Sequence, residues 1–206
     1  MYFQPGTHKD AGLAFSPLKA IMSPRPIGWI STYGNDGSIN LAPYSYFNMI
    51  SEFPPMVMFS SSPAPGMPHK DTLRNAIETK EFVVNIVSSA LGDAMNISST
   101  GFDYGHNEFV AAGLDMAECQ TIKAPRVAAA PAALECTLWK IVELPKPDDI
   151  EPTIMVIGTI TGVHIDDSVI NDGKVDVTAY QPLARLGYKD YASITDVFEM
   201  TRPEVK

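Results

Sequence analysis

The segment TIMVIGTITGVHID, at residues 153–166, constrains the fold more than any other part of this 206-residue chain. It is apolar on both faces when read as a strand, which indicates burial on both sides. Gly158 and Gly162 interrupt it, and glycines inside a strand commonly mark a bend. A long strand that bends is typical of a sheet that closes on itself, so the segment predicts a β-barrel.

Further strands are predicted by apolar runs of β-rich composition, at 27–33, 55–61, 81–88 and 134–144. In the last run, alternate apolar residues share one face, whereas Glu135, Thr137 and Glu143 share the other. This pattern predicts a half-buried antiparallel strand. The residues GNDGS at 34–38 have the turn chemistry of a hairpin.

Helices are expected to be few and short. Apolar residues at helical spacing occur within 71–79 and within 88–98, and both stripes are typical of packing faces. Because the strands do not alternate with long helices, a doubly wound α/β sheet is disfavoured. No low-complexity linker divides the chain, so we expect a mainly β, closed antiparallel barrel that forms a single domain over 1–206.

Composition excludes several functional classes. The chain holds 15 Lys and Arg against 24 Asp and Glu, and a net charge of −9 argues against a nucleic-acid partner. It has neither a leader pattern nor an apolar run long enough to span a membrane. Cys119 and Cys136 are its only cysteines and form no C-x-x-C, so no disulfide framework or zinc site is predicted and a cytoplasmic location is expected.

No sequence motif in the chain indicates a catalytic side chain. The dinucleotide, P-loop, nucleophile-elbow and zinc-protease motifs are all missing. The four histidines are far apart in sequence, so we predict no metal site. His164 lies on an apolar strand face and is interpreted as a hydrogen-bonded barrel histidine.

The stretch SSSPAPGMPHKDT, at 60–72, joins a strand end to a helix start. One interpretation is a surface loop in which Asp71 or Thr72 caps the helix. The other is an anion site, because the first N–H groups of a helix are unpaired and positively polarised. Lys70 would add charge to it, and Asp71 would repel a phosphate unless its carboxylate capped the helix.

Three prolines, Pro24, Pro26 and Pro43, restrict the backbone at two places where a ligand could bind. Arg25 is held between Pro24 and Pro26, so it either pairs with a surface carboxylate or faces an anionic or electron-rich ligand. Pro43, in NLAPYSYFN, is expected to break the strand ladder and free nearby N–H groups for a ligand.

The ordered segments SPRPIGWIST, NLAPYSYFN, PPMVMFSSS, HKDTLRN, EFVVNIV and ARLGYKDYA resemble the flavin reductase family of FMN-binding split β-barrels. The resemblance extends from about Tyr2 to Pro203. It implies a split antiparallel barrel with a few short helices packed outside, and a homodimer that holds FMN near the subunit interface. NADH or NADPH would donate electrons, and a partner monooxygenase or another acceptor would receive them.

The resemblance also implies the residues of the site. The flavin phosphate would meet Ser60, Ser61, Ser62, His69, Lys70, Asp71 and Thr72. The isoalloxazine would lie against main-chain groups of Ile27, Gly28, Trp29, Ile30, Ala42, Pro43, Tyr44 and Ser45. The segment of Arg185 and Gly187 would close the site, with Arg185 as a cation and Arg25 at the mouth of the first strand. Tyr188 stands where many relatives have a second glycine.

An enzyme of this kind needs no side-chain nucleophile, because the flavin accepts the hydride and the protein orients it. We therefore expect an NAD(P)H-dependent flavin reductase-like oxidoreductase with no assigned catalytic residue. The alternatives are an FMN-bound electron carrier or flavoprotein oxygenase, and a barrel that binds flavin or heme without turnover.

Overall fold

The computed structural model describes residues 1–63 and 70–204. Its strands are β1 Arg25–Pro26, β2 Gly28–Tyr33, β3 Ile39–Tyr44, β4 Phe47–Glu52, β5 Pro55–Ser61, β6 Glu81–Ile86, β7 Met116–Ala117, β8 Arg126–Val127, β9 Ala132–Glu143, β10 Ile154–Ile165, β11 Ile170–Asn171, β12 Lys174–Val175, β13 Leu183–Arg185 and β14 Tyr191–Ser193. Its α-helices are α1 Leu18–Ile21, α2 Asp71–Thr79, α3 Gly92–Ile97, α4 Glu108–Ala111 and α5 Val177–Tyr180. The prediction of a mainly β chain with short helices is confirmed.

The main sheet has the order β3-β2-β6-β9-β10-β5-β4 within the described residues, and every neighbouring pair is antiparallel. The two ends of the sheet share one hydrophobic core. Tyr44 on β3 packs against Phe59 on β5, with ring centroids 4.9 Å apart, and both rings are buried beside Val84 of the central strand β6. The sheet therefore curls round its core and brings β3 close to β5.

Strand β10 bends as its glycines predict. Its pairing with β9 shifts register between Ile157 and Gly158 and again between Ile160 and Gly162. Gly158 also lies directly under Phe82, since a Cβ at that position would come within 2.4 Å of the ring. The glycines thus permit both the curvature and the close packing of the core.

The segment 88–98 is less regular than its apolar stripe predicts. A short 3₁₀ turn at Ser89–Leu91 precedes α3, which begins only at Gly92. By contrast, α2 has the predicted bounds and buries Leu73 and Ala76 against the barrel.

Pro43 does not break its strand, so that prediction is wrong. Strand β3 continues through Pro43, which pairs with Trp29 of β2. β3 is an edge strand, and an edge position tolerates proline because the missing N–H costs no ladder hydrogen bond there.

Within residues 1–63 and 70–204, no helix combines the length and the apolar character needed to cross a membrane.

Candidate functional site

Two cavities flank the corner between β3 and β4. The smaller has a volume of about 240 Å³ and is lined by Asn40, Ala42, Pro43, Tyr44, Lys70, Asp71, Thr72, Ser98, Ser99, Thr100, Gly101, Phe102 and Glu108. The larger has a volume of about 760 Å³ and is lined by Ile21, Met22, Ser23, Pro24, Arg25, Pro26, Ser45, Tyr46, Phe47, Asn48, Met58, Ser60, Leu144, Pro145 and Thr153. Tyr44 borders the smaller cavity and the next residue, Ser45, borders the larger one, so the two spaces are neighbours at this corner.

The smaller cavity contains an unpaired buried donor. The Tyr44 hydroxyl is buried and meets no hydrogen-bond partner among the described residues. Burial raises the pKa of this phenol, while the nearby hydroxyls of Thr72 and Ser61 act in the opposite direction. A neutral phenol with a free O–H can donate to a ligand oxygen, so the arrangement fits an anionic oxygen in this space.

The start of α2 opens into the same cavity without a side-chain cap. Lys70 occupies the N-cap position and makes no capping hydrogen bond, so the prediction that Asp71 or Thr72 caps the helix is wrong. Asp71 instead accepts a hydrogen bond from Arg74 at 2.9 Å, and the Thr72 hydroxyl accepts one from Asn40 at 2.7 Å. The first N–H groups of α2 therefore have no side-chain acceptor among residues 1–63 and 70–204 and can bind another acceptor.

Lys70 supplies positive charge at this point. Its ammonium lies 5.8 Å from the centroid of the Tyr44 ring, and burial lowers its pKa. Lys70 takes part in no ion pair in the described part of the chain, where the pairs are Arg74 with Asp71 and His164 with Glu135. A half-buried ammonium without a carboxylate partner favours an anionic ligand.

Two carboxylates border the cavity, but both are engaged. Arg74 offsets the charge of Asp71, and burial raises the pKa of Asp71. Glu108, at the start of α4, accepts a hydrogen bond from the backbone N–H of Leu41 at 2.9 Å, and burial likewise raises its pKa. Sequence patterns missed Glu108 and the 98–102 segment, because no local motif links these residues to β3, which is far away in the chain. They also missed Asn40, which lies on β3, because its hydrogen bond to Thr72 depends on tertiary packing.

None of the predicted serines lines the smaller cavity. Ser60 and Ser45 line the larger cavity, whereas Ser61 is buried beside Tyr44. Ser62 accepts a hydrogen bond from Thr153 at 3.1 Å. His69 lies outside the described residues, so its contact with a phosphate stays a prediction.

The segment 27–30 is interior. Ile27 and Trp29 belong to one hydrophobic cluster and Ile30 to the other. A Cβ on Gly28 would lie 2.7 Å from the Phe47 ring. None of these residues lines either cavity among the described residues, and their predicted main-chain contacts with a flavin stay untested.

The Arg25 side chain links α1 to the turn that follows β13. Its guanidinium donates to the carbonyl oxygens of Lys19 and Met22 at the end of α1, the latter at 2.7 Å, and to that of Leu186 at 2.7 Å. It also lines the larger cavity. Since it pairs with no carboxylate in the described residues, the surface ion pair offered by the sequence is absent there.

Replacing Arg25 by alanine should lower the melting temperature by several degrees, because hydrogen bonds from a charged donor to three carbonyls are worth on the order of 2 kcal/mol. Arg202, in the exposed C-terminal segment, provides the matched control, and Arg202→Ala should leave melting unchanged. Equal melting temperatures for the two variants would show that Arg25 does not stabilise the fold, and ligand binding would remain as its role.

The turn at 185–191 is fixed against α1. A Cβ on Gly187 would lie 2.5 Å from that of Ala20, so only glycine allows this approach. Tyr188 has a φ of +54°, in the left-handed region that favours glycine, which accounts for the glycine that the family resemblance places there. Arg185 stacks on Tyr191 at 4.4 Å from the ring centroid and lines neither cavity.

The chain is similar in sequence to known proteins. A model described as "Flavin reductase like domain" matches residues 22–185. An uncharacterized protein of Aquifex aeolicus is 35% identical over 183 residues, which cover 88% of this chain and 90% of that protein.

Two solved structures are similar over nearly the whole chain. Nitrilotriacetate monooxygenase component B from Bacillus cereus is 30% identical with a TM-score of 0.88, covering 97% of this chain and 98% of that one. The 2-nitrobenzoate 2-nitroreductase NbaA of Pseudomonas fluorescens is 32% identical with a TM-score of 0.82, covering 98% and 96%. The residues that match the family model, 22–185, include β3, β5 and the start of α2, which border the two cavities.

Proposed function

Because the chain belongs to the flavin reductase-like family of flavin-binding split-barrel oxidoreductases, we propose that it binds FMN and reduces it with NADH or NADPH. The observation that carries this proposal is the junction of the uncapped α2 start, Lys70 and the unpaired Tyr44 hydroxyl. Backbone N–H groups, an ammonium and a phenol are the donors that a phosphate monoester requires.

The chain's own residues would hold the two ends of FMN differently. The small cavity has the donors for the phosphate, and its volume of about 240 Å³ leaves the ring system to the neighbouring space. The larger cavity, bordered by Ser45, Phe47 and Ser60, offers apolar walls with hydroxyl groups between them. When bound, the flavin supplies the hydride-accepting chemistry. The protein would orient the flavin and exclude water from the face of the ring that packs against the barrel.

The test is anaerobic reduction of the purified protein reconstituted with FMN. Addition of NADH or NADPH should bleach the visible absorbance of the flavin, and comparing the two rates identifies the donor. A protein that binds FMN but is not bleached by either nucleotide would be an electron carrier. One that takes up no FMN would contradict the proposal.

The acceptor of the electrons is inferred from the relatives. Similarity to a monooxygenase component B supports transfer of reduced flavin to a partner monooxygenase. Similarity to a nitroreductase favours a second candidate, direct reduction of an aromatic nitro compound in the larger cavity. Turnover of a nitroaromatic probe by the isolated protein with NAD(P)H would distinguish the second candidate from the first.

We also infer a homodimer formed across α1 and β4. Ile21 and Met22 on the α1 side and Met49 and Phe53 on the β4 side are exposed apolar residues, and β4 is an edge strand of the main sheet. The larger cavity lies between these elements, so a second copy that covered them would also cover the cavity. Such a cluster of exposed apolar residues is typical of an interface.

Sedimentation of the wild type should therefore give about twice the chain mass of 22.4 kDa. Met49→Glu should shift the protein to monomer, because it places a charge in the inferred interface. Val110, exposed on α4, serves as the control, and Val110→Glu should remain dimeric. A wild-type monomer that retains FMN would refute the interface.

A further inference from the structure

A cluster of Cys119, Glu135 and His164 lies away from both cavities. Cys119 follows β7, Glu135 lies on β9 and His164 on β10. One possible ligand atom from each, a thiol sulfur, a carboxylate oxygen and an imidazole nitrogen, lies within 4.8 Å of the other two. None of the three lines the small or the large cavity, so the cluster is separate from the proposed flavin site.

The carboxylate at the centre is buried and held in place. Glu135 has no exposed surface. It accepts hydrogen bonds from the backbone N–H groups of Gln120 at 2.7 Å and Thr121 at 2.6 Å, and from His164 Nε2 at 2.5 Å. Gly162, paired with Glu135 across the sheet, leaves room for it, since a Cβ there would lie 3.0 Å from the carboxyl carbon.

We propose that Cys119, Glu135 and His164 bind a divalent metal ion of the zinc type. Zinc binds sulfur, imidazole nitrogen and carboxylate oxygen together. Zinc–ligand bonds of about 2.0–2.3 Å in a tetrahedral arrangement place the ligand atoms roughly 3.4–3.8 Å apart. The observed separations require only small side-chain shifts to reach this spacing. Water completes the coordination from the side of Thr121 and Thr161, which are exposed.

The surroundings provide the support that metal ligands need. The backbone N–H of Gln120 donates to one carboxylate oxygen of Glu135, and the N–H and hydroxyl of Thr121 donate to the other, as outer-shell donors do at metal sites. The ion would replace the thiol proton, which passes to solvent, and its charge would compensate the adjacent anions.

This site departs from the expectation that the chain binds no metal. That expectation rested on distances along the sequence, and the three residues meet only because a loop folds over the β9–β10 pair. Bound metal would fasten the loop at 117–123 to the barrel wall. Its effect would therefore appear in stability, with flavin binding unchanged.

The test is titration of the EDTA-treated, dialysed protein with Co²⁺, a spectroscopic substitute for zinc. The wild type should bind one ion with a sulfur-to-cobalt charge-transfer band and the strong visible bands of four-coordinate cobalt, and Zn²⁺ should displace it. Cys119→Ser should lose the charge-transfer band, and His164→Gln should weaken Co²⁺ binding at least tenfold. His8→Gln, which alters a histidine far along the chain, should behave as the wild type does.

A second readout keeps the result independent of absorbance. Zn²⁺ should raise the melting temperature of the wild type and of His8→Gln, but not that of Cys119→Ser. Weak, colourless Co²⁺ binding that is equal in the wild type and Cys119→Ser would overturn the proposal. The cluster would then serve only to hold the 117–123 loop through its hydrogen bonds.

Discussion

Replacing Glu135 by glutamine should lower the free energy of unfolding by about 3 kcal/mol, measured in EDTA so that metal plays no part. The carboxylate accepts hydrogen bonds from Gln120, Thr121 and His164 and has no exposed surface. An amide of the same shape turns an N–H group towards donors and leaves at least one of them unpaired. For a chain of this length, the expected fall in melting temperature is roughly 6–12 °C.

Glu81 offers the control for this variant. It lies on β6 and, among the described residues, accepts one side-chain hydrogen bond, from the backbone N–H of Lys123 at 2.9 Å, at an exposed contact with the same loop. Glu81→Gln should change stability by about 0.5 kcal/mol or less. If both variants lost the same free energy of unfolding, the buried hydrogen bonds of Glu135 would contribute no more to stability than the exposed one of Glu81.

The same carboxylate gives a pH dependence of known sign. Burial acts to raise the pKa of Glu135, but the hydrogen bonds from Gln120, Thr121 and His164 lower it, to about 2 against an ordinary value of 4.5. A lowered pKa in the folded state contributes stability that is complete above the unfolded value and is lost as the pH falls through the folded one. The advantage of the wild type over Glu135→Gln should therefore shrink between pH 4.5 and about 2. An advantage that is constant across this range would contradict the assignment.

Glu135 also shows where strand patterns stop being informative. Alternation along β9 places Glu135 on the polar face, and the prediction of a half-buried strand implied that it meets solvent. The loop after β7 covers that face, and the carboxylate binds the loop's own N–H groups. Nothing local to β9 carries this information, because the covering loop is determined by tertiary packing. The glycines of β10 were informative because bending and close approach depend on the strand's own backbone.

In the candidate site, too, some features follow from local sequence and others depend on tertiary packing. The start of α2 and the charge of Lys70 follow from adjacent residues, so the 60–72 stretch could be interpreted as an anion site from sequence. Arg25 could not be assigned, since its partners are carbonyl groups and any residue type carries a carbonyl. The Tyr44 hydroxyl, which has no partner in the part of the chain that the structure describes, could not be identified from sequence either, because an unpaired donor is a property of the surrounding packing.

Lys70→Ala should weaken FMN binding tenfold or more, which is the loss expected for one charge-assisted hydrogen bond of about 1.5–3 kcal/mol. The ammonium is half-buried beside the Tyr44 ring and has no ion-pair partner among the described residues. Riboflavin lacks the phosphate, so its affinity should be the same for the wild type and the variant. Fluorescence titration at low salt with both ligands measures the difference.

Lys140 supplies the matched control, since its ammonium lies 5.9 Å from the centroid of the Trp139 ring, on an exposed part of β9. Lys140→Ala removes the same charge and the same type of ring contact at a distance from the cavity, so FMN affinity should not change. Tyr44→Phe should weaken FMN binding by a smaller factor, about threefold to tenfold, because it removes a neutral donor and keeps the ring. Equal losses for FMN and riboflavin in Lys70→Ala would show that Lys70 supports the fold of the cavity and does not bind phosphate.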